Sequence, residues 1–299
     1  MTFGRCRAII FCSLTVSTLL ALAGAADLAA CTLWAAAGER AAHGGSLIAK
    51  NRDWAPEPDE VRLVNSPQGF RFLGLFPVRE GKRPGAVAGV NEKGLVVVVA
   101  SAGSIPPEAR RIGGPGLMRR LLTECPSVEE VLARRSLFAR IHPAIYLLAD
   151  IRRIAWVEVG PEGRYAVRET ASGVLAHTNH YLDASLVDAN RKVGRSSRAR
   201  LGKIGELLGS RPAPLTLKDF IAFSGDRSDG PDDSIWRTGG KPERERTIAS
   251  WIVSLPKEAP PEFFIRLADP GKAVKEARVT LDAAFWKGPE GAIFKGDGA

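Results

Sequence analysis

The 299-residue sequence predicts an α+β fold, a four-layer αββα sandwich in which two antiparallel sheets pack face to face and helices cover both outer sides. Three observations carry this. β-rich runs follow one another with short turn-forming stretches between them, the pattern of hairpins and antiparallel pairing. Amphipathic helical segments are confined to two blocks, so the order is strands, helices, strands, helices, strands. The run VVVV at 96–99 is too continuous for a strand wetted on one face and must be covered on both. With 45% hydrophobic residues and no repeat or low-complexity linker, the chain can bury a sizeable core as a single domain over 31–299.

The elements follow in order. TLWAAA (32–37) and SLIAKNRD (46–53) read as two strands joined by the Gly-containing turn GERAAHGG. Extended pieces come at 61–65 and 70–76. AVAGVNEKGLVVVVAS is a tight hairpin turning at 91–94, with Gly94 where positive φ is needed. GLMRRLLTEC and SVEEVLARRSLFAR are amphipathic helices separated by Pro126, and Ser127 with Glu130 forms a capping box. Strands resume at 143–149, 154–159, 165–169 and 174–179, the middle two joined by the PEGR turn. Helices at 196–208 and 216–224 precede strands at 246–254 and 262–267. Between them GDRSDGPDD has the acidity and the turn-forming composition of a lid.

The first thirty residues stand apart. Arg5 and Arg7 precede an apolar stretch over 8–24, and the small residues AGAADLAA follow. This is the pattern of a secretory signal peptide, with room for a short propeptide, and it implies a secreted or periplasmic protein. No other stretch is long and apolar enough to span a bilayer. Removal of the leader takes Cys6 and Cys12 with it and leaves Cys31 and Cys125, too few for a disulfide framework. The formal charge of +9 favours anionic surfaces or substrates. The basic residues are scattered, however, without the aromatic interleaving of a nucleic-acid site. The four histidines (His43, His142, His177, His180) have no paired cysteines nearby, so no metal is expected.

Cys31 is where chemistry concentrates. Were the chain cut between Ala30 and Cys31, it would begin with a cysteine at the start of a strand. A terminal α-amine titrates near ~7.7–8.0, low enough to act as a base at neutral pH. Thiol and base would then share one residue: the thiol attacks a carbonyl, the amine moves the proton, and an acyl-enzyme forms. Signal peptidase would cut more readily after Ala25 or Ala26 than after Ala30, leaving ADLAA or DLAA for the chain's own thiol to remove.

From Cys31 onward the sequence resembles the N-terminal-nucleophile (Ntn) cysteine hydrolases, which comprise the choloylglycine hydrolase and penicillin V acylase family and the isopenicillin-N acyltransferase-like (peptidase C45) family. The resemblance rests on CT followed by a strand, a turn and LIAKNRDW; on GVNEKGLVVVVAS, SVEEVLARR and GVLAHTNHYLD; and on RSSRARLGKI and RTIASWIVSLP. These run in family order over about 31–267. The resemblance implies the Ntn-hydrolase sandwich and cleavage or transfer at a linear amide, without a cofactor. It assigns Cys31 as nucleophile, Asp53 as the carboxylate holding it, Asn179 as oxyanion donor, and Arg200, or alternatively Arg198, as electrostatic support. Lys50, Asn51, Arg52 and Ser101 are supporting candidates. Lys50 stands where the choloylglycine branch has arginine, and Ser101 where that branch has a second oxyanion asparagine, so AKNRDW leans towards the acyltransferase-like branch. The expected partner is a small-molecule amide, anionic if the positive charge is used; oligomerisation is open, as is the choice between hydrolysis and acyl transfer.

The rival reading of Cys31 is a lipobox, Leu28-Ala29-Ala30-Cys31, whose product is a lipoprotein or non-catalytic binding protein. Asp27 interrupts the apolar run that such a box needs. A Cys–His dyad with His177 or His180 is a weaker rival, and both are expected at most to line the site. Cys125 reads as a buried thiol at a helix end. The substrate pockets are expected from loops after 53, at 66–85 and near 225–240.

Overall fold

The computed structural model describes residues 30–111, 116–212 and 214–295, with Met1; residues 2–29 of the expected leader lie outside them. In chain order the first strands are β1 (Thr32–Ala37), β2 (Ser46–Trp54), β3 (Asp59–Val64), β4 (Phe72–Pro77), β5 (Ala88–Asn91), β6 (Val96–Ser101) and β7 (Ala144–Ala149). They are followed by β8 (Ile154–Val159), β9 (Tyr165–Thr170), β10 (Gly173–His177), β11 (Arg246–Leu255), β12 (Glu262–Leu267), β13 (Lys275–Thr280) and β14 (Gly291–Lys295). One sheet has six strands, in the order β10-β1-β2-β11-β12-β13; the other has eight, in the order β14-β3-β4-β5-β6-β7-β8-β9. All their neighbouring strands are antiparallel.

The alternation of side chains along the strands builds three apolar layers. Leu33, Ile48, Val96, Val98 and Trp251 meet between the sheets. On the outer face of the larger sheet Val97 and Tyr146 pack against α1 (Met118–Glu124) and α2 (Val128–Ala133). On the outer face of the smaller sheet Trp34, Ala49 and Ile252 pack against α3 (Arg195–Ser210) and α4 (Leu217–Ser224). The αββα sandwich read from the sequence is therefore the architecture observed. The 96–99 run is buried as expected at Val96, Val97 and Val98, and Gly94 turns the β5–β6 hairpin with φ 88°. No described helix is long and apolar enough to cross a membrane.

Four details differ from the sequence reading. The helix expected over 127–140 ends at Ala133 and continues as a 3₁₀ turn over Arg135–Arg140, because Arg134 has left helical geometry. Ser127 accepts from the Glu130 N–H, but the full capping box is at α4, between Thr216 and Asp219. The strand expected to reach 179 stops at His177, which puts Asn179 in a loop. β13 and β14 lie at sheet edges, and in β13 charged alternation (KEARVT) had hidden the strand signal.

Candidate active site

Cys31 immediately precedes β1, which lies between β10 and β2 in the six-stranded sheet. Alternation turns it with Leu33 and Ala35 into the inter-sheet layer, while Trp34 and Ala36 face the helices. Its residue is only 4% exposed. It borders a cavity of about 200 Å³ whose walls include Lys50, Trp54, Ser101 and His142.

The other side of the same backbone meets a buried polar cluster. Arg200, in the second turn of α3, reaches down onto the sheet. Its Nη1 donates to the Cys31 carbonyl at 2.8 Å and to Thr32 Oγ1 at 2.7 Å, and its Nη2 to Asn179 Oδ1 at 3.1 Å. Because Oδ1 accepts there, Nδ2 is the donor end of the Asn179 amide, and it donates to the Ser101 carbonyl at 3.0 Å. Asp53, at the far end of β2, accepts from Thr247 Oγ1 at 2.7 Å through Oδ1. Its Oδ2 accepts no hydrogen bond among the described residues. That oxygen lies 3.9 Å from Arg200 and 3.8 Å from Arg237.

A bulge explains the Thr247 contact. The β2–β11 register slips between Thr247 and Ala249, so Asp53 faces Thr247, whereas an unbroken register would present Ile248. A buried carboxylate must be paired or it neutralises. Burial pushes Asp53 up from the ordinary carboxylate range, while Arg237, Arg200 and the Thr247 hydroxyl pull it back. Burial likewise pushes Arg200 and Lys50 down. Lys50 Nζ donates to the carbonyls of Val87 at 3.0 Å and Val99 at 2.5 Å, which ties β2 to the opposite sheet.

Of the residues singled out from the sequence, Cys31, Asp53, Asn179 and Arg200 converge, and Lys50 and Ser101 border the thiol-side cavity. Arg52 borders that cavity as well, whereas Asn51 and Arg198 do not. Asn51 faces the helices and donates to the carbonyls of Ser224 and Ile235. Arg52 shares the Lys50 face, but its guanidinium is taken by Asp59, at 3.0 Å from both oxygens, and by Glu57. Arg198 is exposed on α3 and points away from the Arg200 contacts.

Sequence reasoning passed over Arg237, Thr247 and Glu158. Arg237 sits in a stretch read only as a loop, and Thr247 became visible only through the bulge. Glu158 is fully buried in β8 and faces His177 Nε2 at 2.7 Å; it accepts from the Leu182 N–H at 2.6 Å and the Asp183 N–H at 3.1 Å. It thereby anchors the loop that carries Asn179. His177 is consumed in this contact and does not line the site. His180 is held by Ser197 Oγ at 2.8 Å, and burial pushes it down to about 4.

The pocket loops match expectation only in part: Trp54, just after 53, and Arg237, in the 225–240 stretch, line the cavities. Residues 66–85 line neither cavity next to Cys31; segments 103–110 and 191–197 do. GDRSDGPDD is folded against its own flanks, with Trp236 N–H donating to the Asp226 carbonyl at 2.8 Å and Arg195 paired with Asp233, and it covers neither cavity. Cys31 and Cys125 are both free thiols, on opposite faces of the eight-stranded sheet.

With this geometry in hand, three comparisons bear on kinship. The family model described as acyl-coenzyme A:6-aminopenicillanic acid acyl-transferase matches residues 40–271, beginning nine residues after Cys31. No curated protein sequence matches significantly. Among solved structures, a variant of conjugated bile acid hydrolase from Clostridium perfringens superposes with a TM-score of 0.55 at 15% identity, over 87% of this chain and 96% of that one. Penicillin V acylase from Agrobacterium tumefaciens aligns at 12% identity over 83% of this chain and 86% of that one, with a TM-score of 0.45. The bile acid hydrolase match shows a shared fold, and the family model covers most of the sequence. The chain belongs to the acyl-coenzyme A:6-aminopenicillanic acid acyl-transferase family, within the Ntn-hydrolase fold.

Proposed function

We propose that the protein is an exported N-terminal cysteine amidohydrolase or acyltransferase acting on a linear amide, with Cys31 as nucleophile once residues 1–30 are removed. The observation that carries this reading is Arg200, which donates to the Cys31 carbonyl and gathers Asn179 and Asp53, each from a separate part of the chain, beside it. Burying an aspartate and two arginines is costly unless their geometry serves a purpose, and here the group is joined through Arg200 to the backbone of one thiol-bearing residue.

The chemistry follows from the groups in place. The Cys31 thiol attacks the amide carbonyl carbon as its proton passes to the Cys31 α-amine. The C–S bond forms, and the carbonyl oxygen gains negative charge, which Asn179 Nδ2 stabilises. A donor of this kind contributes ~3–4 kcal/mol in comparable sites. The ammonium returns the proton to the amide nitrogen, the C–N bond breaks, and a thioester remains. Water or an amine then attacks the thioester and releases the thiol. Asp53 and Arg200 act as positioning residues: Arg200 holds the Cys31 carbonyl and the acceptor end of the Asn179 amide. The Asp53 Oδ2 is an acceptor suited to the ammonium that forms when the amine takes the proton.

The lipoprotein reading fits these surroundings poorly. A diacylglyceryl group on Cys31 would have to leave a position that is 4% exposed at the start of a central strand. Intact mass and N-terminal sequencing of the protein recovered from its exporting host test both readings. A chain beginning at unmodified Cys31 that forms a covalent adduct with an amide or thioester substrate supports the enzyme; a lipid mass increment at Cys31 overturns it.

A further inference from the structure

Lys50 is a buried titratable group that the proposed reaction leaves idle. We propose that in the uncleaved chain Lys50 takes the proton of the Cys31 thiol, so that this thiol removes its own leader at the Ala30–Cys31 bond. The inference rests on the proposed function for what the freed cysteine then does, though not for the cleavage.

The covalent structure creates the need. While Ala30 is attached, the Cys31 nitrogen belongs to an amide and cannot serve as a base. The chain described here is in that state, with Ala30 in the wall of a second cavity, of about 460 Å³, on the α3 side of Cys31. Some other group must accept the thiol proton. Alternation along β2 turns Asp53 to the opposite face from Lys50.

Three observations single out Lys50. Leu33 pairs with Lys50 across β1 and β2, which makes Cys31, two residues earlier on the same face, its diagonal neighbour. Such neighbours stand ~7–8 Å apart, within reach of a long side chain, and both residues line the cavity of about 200 Å³. Second, Lys50 is 2% exposed, and no carboxylate pairs with it among the described residues. Asp59, the carboxylate of its own strand face, is taken by Arg52. A buried lysine without an anion gives up its proton readily. Burial pushes this one down from its ordinary 10.5, against the weaker upward pull of Cys31, Asp59 and Asp53, with Arg52 adding to the fall. Third, Nζ donates to two carbonyls, of Val87 and Val99. A neutral amine has two N–H groups and one lone pair, so these bonds use both donors and leave the lone pair for the thiol proton. The remaining polar groups of the wall fit less well. Arg110 is always protonated and donates to the Gly103 and Ile105 carbonyls. His142 is half-buried, with its ring beside Gly116 at the approach to α1.

The cleavage runs in two stages. Cys31 Sγ attacks the Ala30 carbonyl carbon as its proton passes to Lys50 Nζ, and the C–S bond forms. The Lys50 ammonium returns the proton to the Cys31 nitrogen, the C–N bond breaks, and Ala30 is left as a thioester beside a free α-amine. Water then hydrolyses the thioester, with that amine as base, and the leader departs with a carboxylate on Ala30. Lys50 acts once per chain, and the amine takes over thereafter.

The test makes the full chain in a cell-free system and times cleavage at Ala30–Cys31 by mass spectrometry. Wild type is compared with Cys31→Ala, Lys50→Arg, Lys50→Ala and His142→Gln. Lys50→Arg keeps a cation and the donors for both carbonyls but cannot act as a base. A second set of chains carries, in place of residues 27–30, the site of a protease that cuts directly before Cys31, which frees the amine without self-cleavage. Expected are first-order cleavage in wild type, none in Cys31→Ala, and slowing by about 10²-fold or more in both Lys50 variants. His142→Gln should lose less. Added ethylamine should restore part of the cleavage in Lys50→Ala, as a soluble base in the vacated space. In the protease-freed set the Lys50 variants should lose less than about tenfold in amide turnover, a smaller loss than that of a general base. Cleavage at the wild-type rate in Lys50→Arg, equal losses of cleavage and turnover, or a larger loss in His142→Gln than in Lys50→Arg overturns the proposal. Lys50-dependent cleavage in a chain that turns over no amide would keep it and sink the proposed function. Amide hydrolysis by the protease-freed chain, with no self-cleavage of the full chain, would do the reverse.

Discussion

Cys31 and Cys125 are both buried free thiols, 4% and 1% exposed, and they lie in opposite chemical settings. Cys125 caps α1 among Leu121, Leu122 and Val128, and its carbonyl accepts from Asn91 Nδ2 at 2.8 Å. Burial pushes its thiol up, away from the reactive thiolate. Cys31 is nearly as enclosed, but Lys50 shares its cavity and Arg200 holds its carbonyl. Exclusion from water does not distinguish the two; fixed charge and access do.

The largest expected effect breaks the comparison outright. Cys31→Ala should abolish turnover by a factor on the order of 10³ or more, whereas Cys125→Ala should leave kcat intact and cost only stability. Iodoacetamide followed by peptide mass analysis should label Cys31 in the native protein and spare Cys125; the opposite labelling would refute the assignment of roles.

Next comes Asn179→Ala, for which kcat should fall about 10²–10³-fold, as for other lost oxyanion donors, with little change in KM. An effect confined to KM would make Asn179 a binding residue.

Asp53→Asn tests the cluster itself. It leaves Arg200 and Arg237 buried around a neutral amide and should cost ~3–5 kcal/mol in denaturant unfolding. Thr247→Val, which removes one hydrogen bond to that carboxylate, should cost ~1–3 kcal/mol. Equal costs would mean that packing, not charge, holds the cluster.

The smallest effect concerns pH. His180 is neutral in the fold, with its pKa pushed down to about 4 from 6.5. Its contribution to stability is therefore present above about 6.5 and lost as pH falls towards 4, because the unfolded chain takes up the proton first. Melting curves of His180→Gln should lose this part of the acid sensitivity while Cys31 reactivity is kept.

Much of the molecule was legible beforehand because its signals are local. Hairpin turns, the double-sided valine run and the amphipathic helices are written in short windows, and so was the alternation that puts Asp53 on the face opposite Lys50 and Arg52. The edge strand β13 was not, since its charged alternation resembles a loop until a neighbour supplies the ladder. The same limit applied to the choice between Arg198 and Arg200. Two residues apart on a helix they point about 200° apart, and which one meets β1 depends on how α3 lies on the sheet.

The sequence by itself therefore determined the order and type of the main elements and the two-sheet architecture, because periodicity and turn chemistry act over a few residues. Tertiary structure alone decided that Arg237 and a bulge-presented Thr247 complete the Asp53 cluster, and that Arg52 is spent on Asp59. Those outcomes depend on which buried groups meet across long stretches of chain, and no local pattern encodes who a charge's partner will be.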